Sequence, residues 1–223
     1  MFITYKTGIN FNVDLTLISI AMIFPLVFTI RGSFRRREKA LEHLSQFRSS
    51  LKTIHYYFLG NNNFSATEKQ EVFEILENIN NTFLTHLCKN DYDTKNLDET
   101  VYQVYNYMDE KKDLINDRLK SKVFRFLADV HESMENLNAI HSHRTPISLR
   151  AYCKVFIYLF PFFYAPIVVN NVGYENSMLI PYFIVLITEF ILISLYNIQT
   201  KLEHPFDNDG LDDINLDVFK ISK

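Results

Sequence analysis

Few residues in this 223-residue chain are arranged for covalent chemistry. No Ser/His/Asp or Cys/His grouping is evident, and none of the usual glycine-rich phosphate-binding patterns occurs. His131, His141 and His143 include a His-x-His pair, but no cysteine or carboxylate set stands nearby to complete a metal site. The tail carries Asp207, Asp209, Asp212 and Asp213 around Asn208 and Gly210, an oxygen-rich stretch that invites calcium. Calcium takes about six to eight oxygen ligands. The run is interrupted by Gly210 and Leu211 and does not follow the EF-hand spacing, so a solvated loop is the plainer reading and no cofactor is required. Glu189 stands midway along an apolar run, where an ionisable group is costly and faces protein or water. It is expected to be a protonated structural carboxyl, a partner for a polar group, or part of a pathway. Cys88 and Cys153 are the only cysteines, which excludes a disulfide framework, and both are expected to stay reduced.

The elements that must position these residues follow from the distribution of apolar side chains. The chain is 48% hydrophobic and 15% aromatic, which excludes disorder. Its net charge of -3 and pI near 6.2 exclude a basic nucleic-acid binder. The mean hydropathy of -0.06 averages two unlike populations. Three runs near 13–30, 152–169 and 178–198 are almost free of charge, and the stretch between the first two is highly charged. The first run, Val13–Ile30, would span roughly 27 Å as a helix, just enough for a hydrocarbon core of about 30 Å. It is followed by Arg31, Arg35, Arg36, Arg37 and Lys39 and preceded only by Lys6, the reverse of a secretory signal. The positive-inside rule then puts its Ile30 end in the cytoplasm. The second run follows Arg144 and Arg150, the third ends near Lys201, and both agree with that orientation. The expected organisation is an outer segment 1–12, a membrane helix 13–30, a cytoplasmic helical region 31–150, a membrane hairpin 151–200 turning through 170–176, and a cytoplasmic acidic tail 201–223.

The cytoplasmic region reads as helical throughout. Residues 35–58 continue the first membrane helix until Asn61-Asn62-Asn63 stops it. Ser65-Ala66-Thr67-Glu68 is a capping box, and Val72, Ile75, Leu76, Ile79, Phe83 and Leu87 then recur at helical spacing. Residues 90–96 are expected to form a polar loop. One long helix is expected after it, with Leu119, Val123, Phe126, Leu127, Val130, Met134 and Leu137 on one face. Arg144-Thr145-Pro146 marks a boundary, because proline disfavours helix before it and suits the first turn of the next. No strand-like alternation is present. The fold class is all-α: an integral membrane protein whose long helices extend into a cytoplasmic helical region.

Three stretches carry a resemblance. Arg144-Thr145-Pro146-Ile147-Ser148-Leu149 with Tyr158-Leu159-Phe160-Pro161-Phe162, and Leu202-Glu203-His204-Pro205-Phe206 before an acidic tail, resemble the bestrophin family, especially its bacterial branch. Ile23-Phe24-Pro25-Leu26-Val27-Phe28 through Gly32-Ser33-Phe34-Arg35-Arg36-Arg37-Glu38 resembles that family's pore-lining second membrane helix. The resemblance implies a homopentameric ion channel in a lipid membrane, conducting small inorganic anions such as chloride or bicarbonate. It also implies four membrane helices per subunit, so that this sequence would lack the first. It places three apolar rings of a pore neck on Ile20, Phe24 and Phe28. Those residues, at i, i+4 and i+8, share one side of a helix and would span roughly 12 Å. Pro25 is expected to kink that helix, its freed carbonyl being satisfied by a neighbour or water. Residues 31–60 hold seven Lys or Arg against two Glu, among them Arg31, Arg35, Arg36 and Arg37, which suits membrane-interface anchoring and a positive vestibule. Animal bestrophins carry an unbroken acidic calcium clasp after the Pro-Phe; here the run is broken. A cation-preferring channel and a non-conducting scaffold or signalling subunit on the same fold are the competing readings, and no enzymatic activity is expected.

Overall fold

The computed structural model describes Lys6, Asp14 and residues 16–89, 93–172 and 179–222. Apart from Lys6, the outer segment lies outside these residues, as do 173–176 of the expected turn. Six α-helices run through the described chain: α1 Thr16–Leu59, α2 Ala66–Leu87, α3 Lys95–Glu110, α4 Asp117–Ser142, α5 Ile147–Val172 and α6 Leu179–Leu202. A short 3-10 turn, Leu216–Phe219, follows. Three helical stretches, Thr16–Leu59, Asp117–Val172 and Leu179–Leu202, are long and apolar enough to cross a membrane. The protein is a multi-pass membrane protein of all-α fold.

Two compact units divide the chain, one from Met1–Arg35 and Thr145–Glu203, the other from Arg36–Arg144 and His204–Lys223. In the first, α5 and α6 pack as an antiparallel pair. Met22 and Leu26 of α1 meet Cys153, Ile157 and Phe160 of α5 and Leu192 of α6. Lipid is as apolar as these side chains, so close van der Waals contact rather than expulsion of water holds them together. Small buried residues on the same α1 stripe, Thr29 and Ser33, let the backbones approach. Arg150 at the start of α5 donates to Glu203 just beyond α6 at 2.9 Å, and Gln199 donates to the other Glu203 oxygen at 2.7 Å.

In the second unit, α1 from Arg36 onward packs with α2, α3 and α4 around Phe47, Phe58 and Phe83. The Phe47 and Phe83 rings meet at 4.9 Å between centroids. The expected capping box opens α2, with Glu68 N–H donating to Ser65 Oγ and Ser65 N–H to Glu68 Oε2. The apolar stripe of α2 is buried along its length, Ile75 only partly.

Two expectations are corrected. The interval after α2 falls two residues earlier than the expected 90–96, since α2 ends at Leu87 and α3 begins at Lys95. The single long helix beyond it is two, broken by turns over 111–114 and restarted by Asn116, whose side chain accepts from Leu119 N–H at 2.8 Å. No Gly or Pro marks this break; an N-capping asparagine after a polar turn is its signal. Phe126 is only partly buried, its ring lying 5.8 Å from that of Tyr57.

Much of the acidic tail is docked. Phe206, Ile214, Leu216 and Ile221 lie in the core of this unit. Asn80, fully buried on α2, holds the tail from both sides of its amide. Its Nδ2 donates to Phe219 O at 3.1 Å, and Ile221 N–H donates to its Oδ1 at 3.2 Å.

Candidate pore-lining helix

One face of α1 is buried and the opposite face is open. Met22, Leu26, Thr29 and Ser33 recur at three- and four-residue steps and are at most 2% exposed. Ile20, Phe24 and Phe28 are 46%, 56% and 60% exposed. At about 100° per residue the two sets stand on opposite sides of the helix. Among the described residues of the membrane unit, this stripe is left largely open, although it is wholly apolar. Phe24 and Phe28 stack loosely along it, with centroids 6.0 Å apart and planes tilted by 40°. Arg31 and Arg35 continue the same face with exposed side chains.

The four arginines after the span divide into two pairs. Arg36 Nη1 donates to His143 O at 3.0 Å, and Arg37 Nε donates to Asp212 O at 2.7 Å. Arg36 and Arg37 thus tie the end of α4 and the tail loop to α1. Their engagement answers a physical need, since a guanidinium supplies several donors to carbonyls that no helix satisfies.

Pro25 lies within an unbroken α-helical segment. A proline lacks the N–H that would reach the carbonyl four residues back, here Ala21. That carbonyl accepts instead from the hydroxyl of Tyr152 on α5, at 3.2 Å. The neighbouring helix expected to satisfy the freed group is α5.

The remaining candidates are scattered. Glu189 is half-buried on α6, and its Oε2 is buried with no hydrogen-bond partner. In the tail, Asp213 Oδ2 accepts from Gly210 N–H at 2.8 Å and Asp207 Oδ1 from Asp209 N–H at 3.1 Å. Burial, then the neighbouring Asp207 carboxyl, push the Asp213 carboxyl above its ordinary range. The close approach of Asp213 Oδ1, 2.6 Å from where a Cβ would stand, explains Gly210. These carboxylates organise the loop's own backbone, and among the described residues no group of three His, Cys, Asp or Glu could hold a metal ion. His141 lies against His86 and Phe206, at 6.1 and 6.2 Å between ring centroids, and its Nε2 is 2.9 Å from Lys89 O. Burial holds its pKa below the ordinary histidine value.

No protein-family description fits this sequence, and no curated protein matches it. Solved structures do match. One variant of a bacterial bestrophin homolog from Klebsiella pneumoniae superposes with a TM-score of 0.82 at 14% identity, over 97% of this chain and 86% of that one. A second variant gives a TM-score of 0.83 at 14% identity, over 98% of this chain and 87% of that one. A structure described only as a membrane protein gives 0.84 at 14% identity, over 98% and 86%.

The chain has the bestrophin fold. The resemblance seen in three short stretches of sequence therefore extends over nearly the whole backbone at an identity too low for a sequence match. In the bestrophin fold of this chain, α1 carries the apolar ladder and α5 supports it through Tyr152, Cys153, Ile157 and Phe160. Sequence reasoning missed Tyr152 and Asn80. A proline inside a span and an asparagine inside an apolar stripe were their signals, each demanding a hydrogen-bonding partner elsewhere.

Proposed function

We propose that this protein is the subunit of a homopentameric ion channel that passes chloride or other small anions such as bicarbonate. The observation that carries the reading is the ladder Ile20, Phe24 and Phe28, exposed on α1 opposite its packed face and set in a bestrophin fold. Five copies of that face around an axis would make an apolar neck. A tube roughly 12 Å long lined by such side chains gates by dewetting. Phenylalanine ring edges carry partial positive charge and tolerate an anion, while ring faces repel it. Arg31 and Arg35 continue the face and favour anion entry from the basic side. In this reading 13–30 line the pore, 151–200 form the supporting hairpin, and 31–150 with the tail 201–223 form the cytoplasmic body.

Stoichiometry and then flux test this reading. Five-fold particles in detergent, and anion-selective reversal potentials in asymmetric salt after reconstitution, are expected. Replacing Phe24 and Phe28 by alanine widens the neck and raises leak current. A monomer or dimer with intact helices, or unchanged conductance in the double alanine variant, overturns the assignment. A reversal potential of the opposite sign selects the cation reading, and the absence of flux at every voltage selects a scaffold.

A further inference from the structure

The Tyr152–Ala21 hydrogen bond occupies an unusual place. Ala21 is four residues before Pro25, so its carbonyl is the one that proline orphans. It also stands between Ile20 and Phe24, the first two rungs of the apolar ladder. Within a bilayer an orphaned carbonyl has no water to turn to, so a donor from the next helix is the remaining solution. Tyr152 supplies it from the first turns of α5, its ring braced on Phe156 with 4.4 Å between centroids. Tyrosine fits this position because its apolar body packs among helices while its hydroxyl reaches the backbone. One turn beyond Pro25, Thr29 Oγ1 donates to Leu26 O at 2.8 Å within its own helix. A proline break whose freed carbonyl is met by a bond from the next helix is a hinge with a latch.

We infer that Tyr152 is a positioning residue of the pore helix, whose hydroxyl replaces the N–H missing at Pro25 and thereby fixes the Ile20 rung relative to Phe24 and Phe28. This rests on the channel reading for its effect on conduction, and on the geometry alone for the bond itself. With the bond made, the turn before Pro25 is held to α5 and the neck keeps its register. With it broken, the segment before Pro25 tilts independently and the neck loosens.

A double-substitution cycle tests the inference. Tyr152→Phe keeps the ring and removes the donor. Pro25→Ala restores an N–H that reaches Ala21 O within the helix. In the parent protein, Tyr152→Phe is expected to lower the melting temperature in detergent by about 2–4 °C, the shift for one hydrogen bond in a chain of this size. It should also raise leak flux in liposomes. In the Pro25→Ala background the same substitution is expected to change neither. An equal drop in both backgrounds overturns the inference, because it assigns Tyr152 to packing alone. No drop in either overturns it as well. If Pro25→Ala fails to fold, carbon-13 labelling of the Ala21 carbonyl decides. Its infrared band must shift upward on Tyr152→Phe, and an unmoved band overturns the latch. Absence of flux in the parent protein sinks the channel reading only, and the melting cycle still decides the bond.

Discussion

Glu68 shows how many contacts one side chain can combine. It closes the capping box of α2, pairs with Lys111 at 3.0 Å, and its backbone oxygen accepts from the Tyr107 hydroxyl at 3.0 Å. The Ser65 N–H, then the Lys111 ammonium and the Ser65 hydroxyl, pull its carboxyl from the ordinary 4.5 to about 2. Burial, with help from nearby carboxylates including Glu68, pushes the Tyr107 phenol up to about 12. A carboxyl with a depressed folded pKa stabilises the fold above its unfolded value and loses that contribution as pH falls through the folded one. Glu68→Gln should therefore melt lower than the parent at neutral pH, and the gap should close as pH falls from about 4.5 towards 2. A gap independent of pH would show that the carboxylate's charge plays no part. The box itself was legible in Ser65-Ala66-Thr67-Glu68, because capping is local chemistry. Lys111 was not, because it lies 43 positions away and only folding brings it there.

At the scale of elements, legibility tracks how local the cause is. The three apolar runs and the stop at Asn61-Asn62-Asn63 could be read directly, since length and hydropathy decide them. The split between α3 and α4 could not, since a polar turn without Gly or Pro interrupts an otherwise continuous helical pattern. The open face of α1 was readable as spacing, but its emptiness required knowing that Met22, Leu26, Thr29 and Ser33 face the neighbouring helices. The cytoplasmic ends of α5 and α6 depend on another non-local pair. Glu203 has a fully buried side chain, and Arg150 supplies the guanidinium against it. Removing one member of a buried pair leaves a charge without compensation, which costs about 3 kcal/mol or more. Arg150→Leu is expected to destabilise the fold by that order, measured by denaturant unfolding in detergent. The double variant Arg150→Leu with Glu203→Leu should recover much of the loss. A double variant as unstable as the sum of the single ones would mean that the pair is not the cause.

For the whole molecule, the two native cysteines report on orientation without any engineered label. Cys88 is exposed just beyond α2, in the polar unit, whereas Cys153 is buried among the membrane helices. Every basic cluster bordering a span, Arg31 to Lys39, Arg144 to Lys154 and Lys201, puts the polar unit on the cytoplasmic side. A membrane-impermeant maleimide should therefore modify Cys88 in inverted vesicles and leave it untouched in intact cells. Cys153 should react only after unfolding. The rate carries a second signature. Partial burial first, then the Asp217 charge, push the Cys88 thiol above its ordinary pKa, partly offset by Lys220. Since the thiolate is the reactive form, labelling near neutral pH should be slower than for a free thiol and should climb steeply as pH rises. Labelling of Cys88 from outside intact cells would invert the orientation. The stripe of Arg31 and Arg35 would then face the opposite compartment, and in the proposed channel the side of anion entry would change with it.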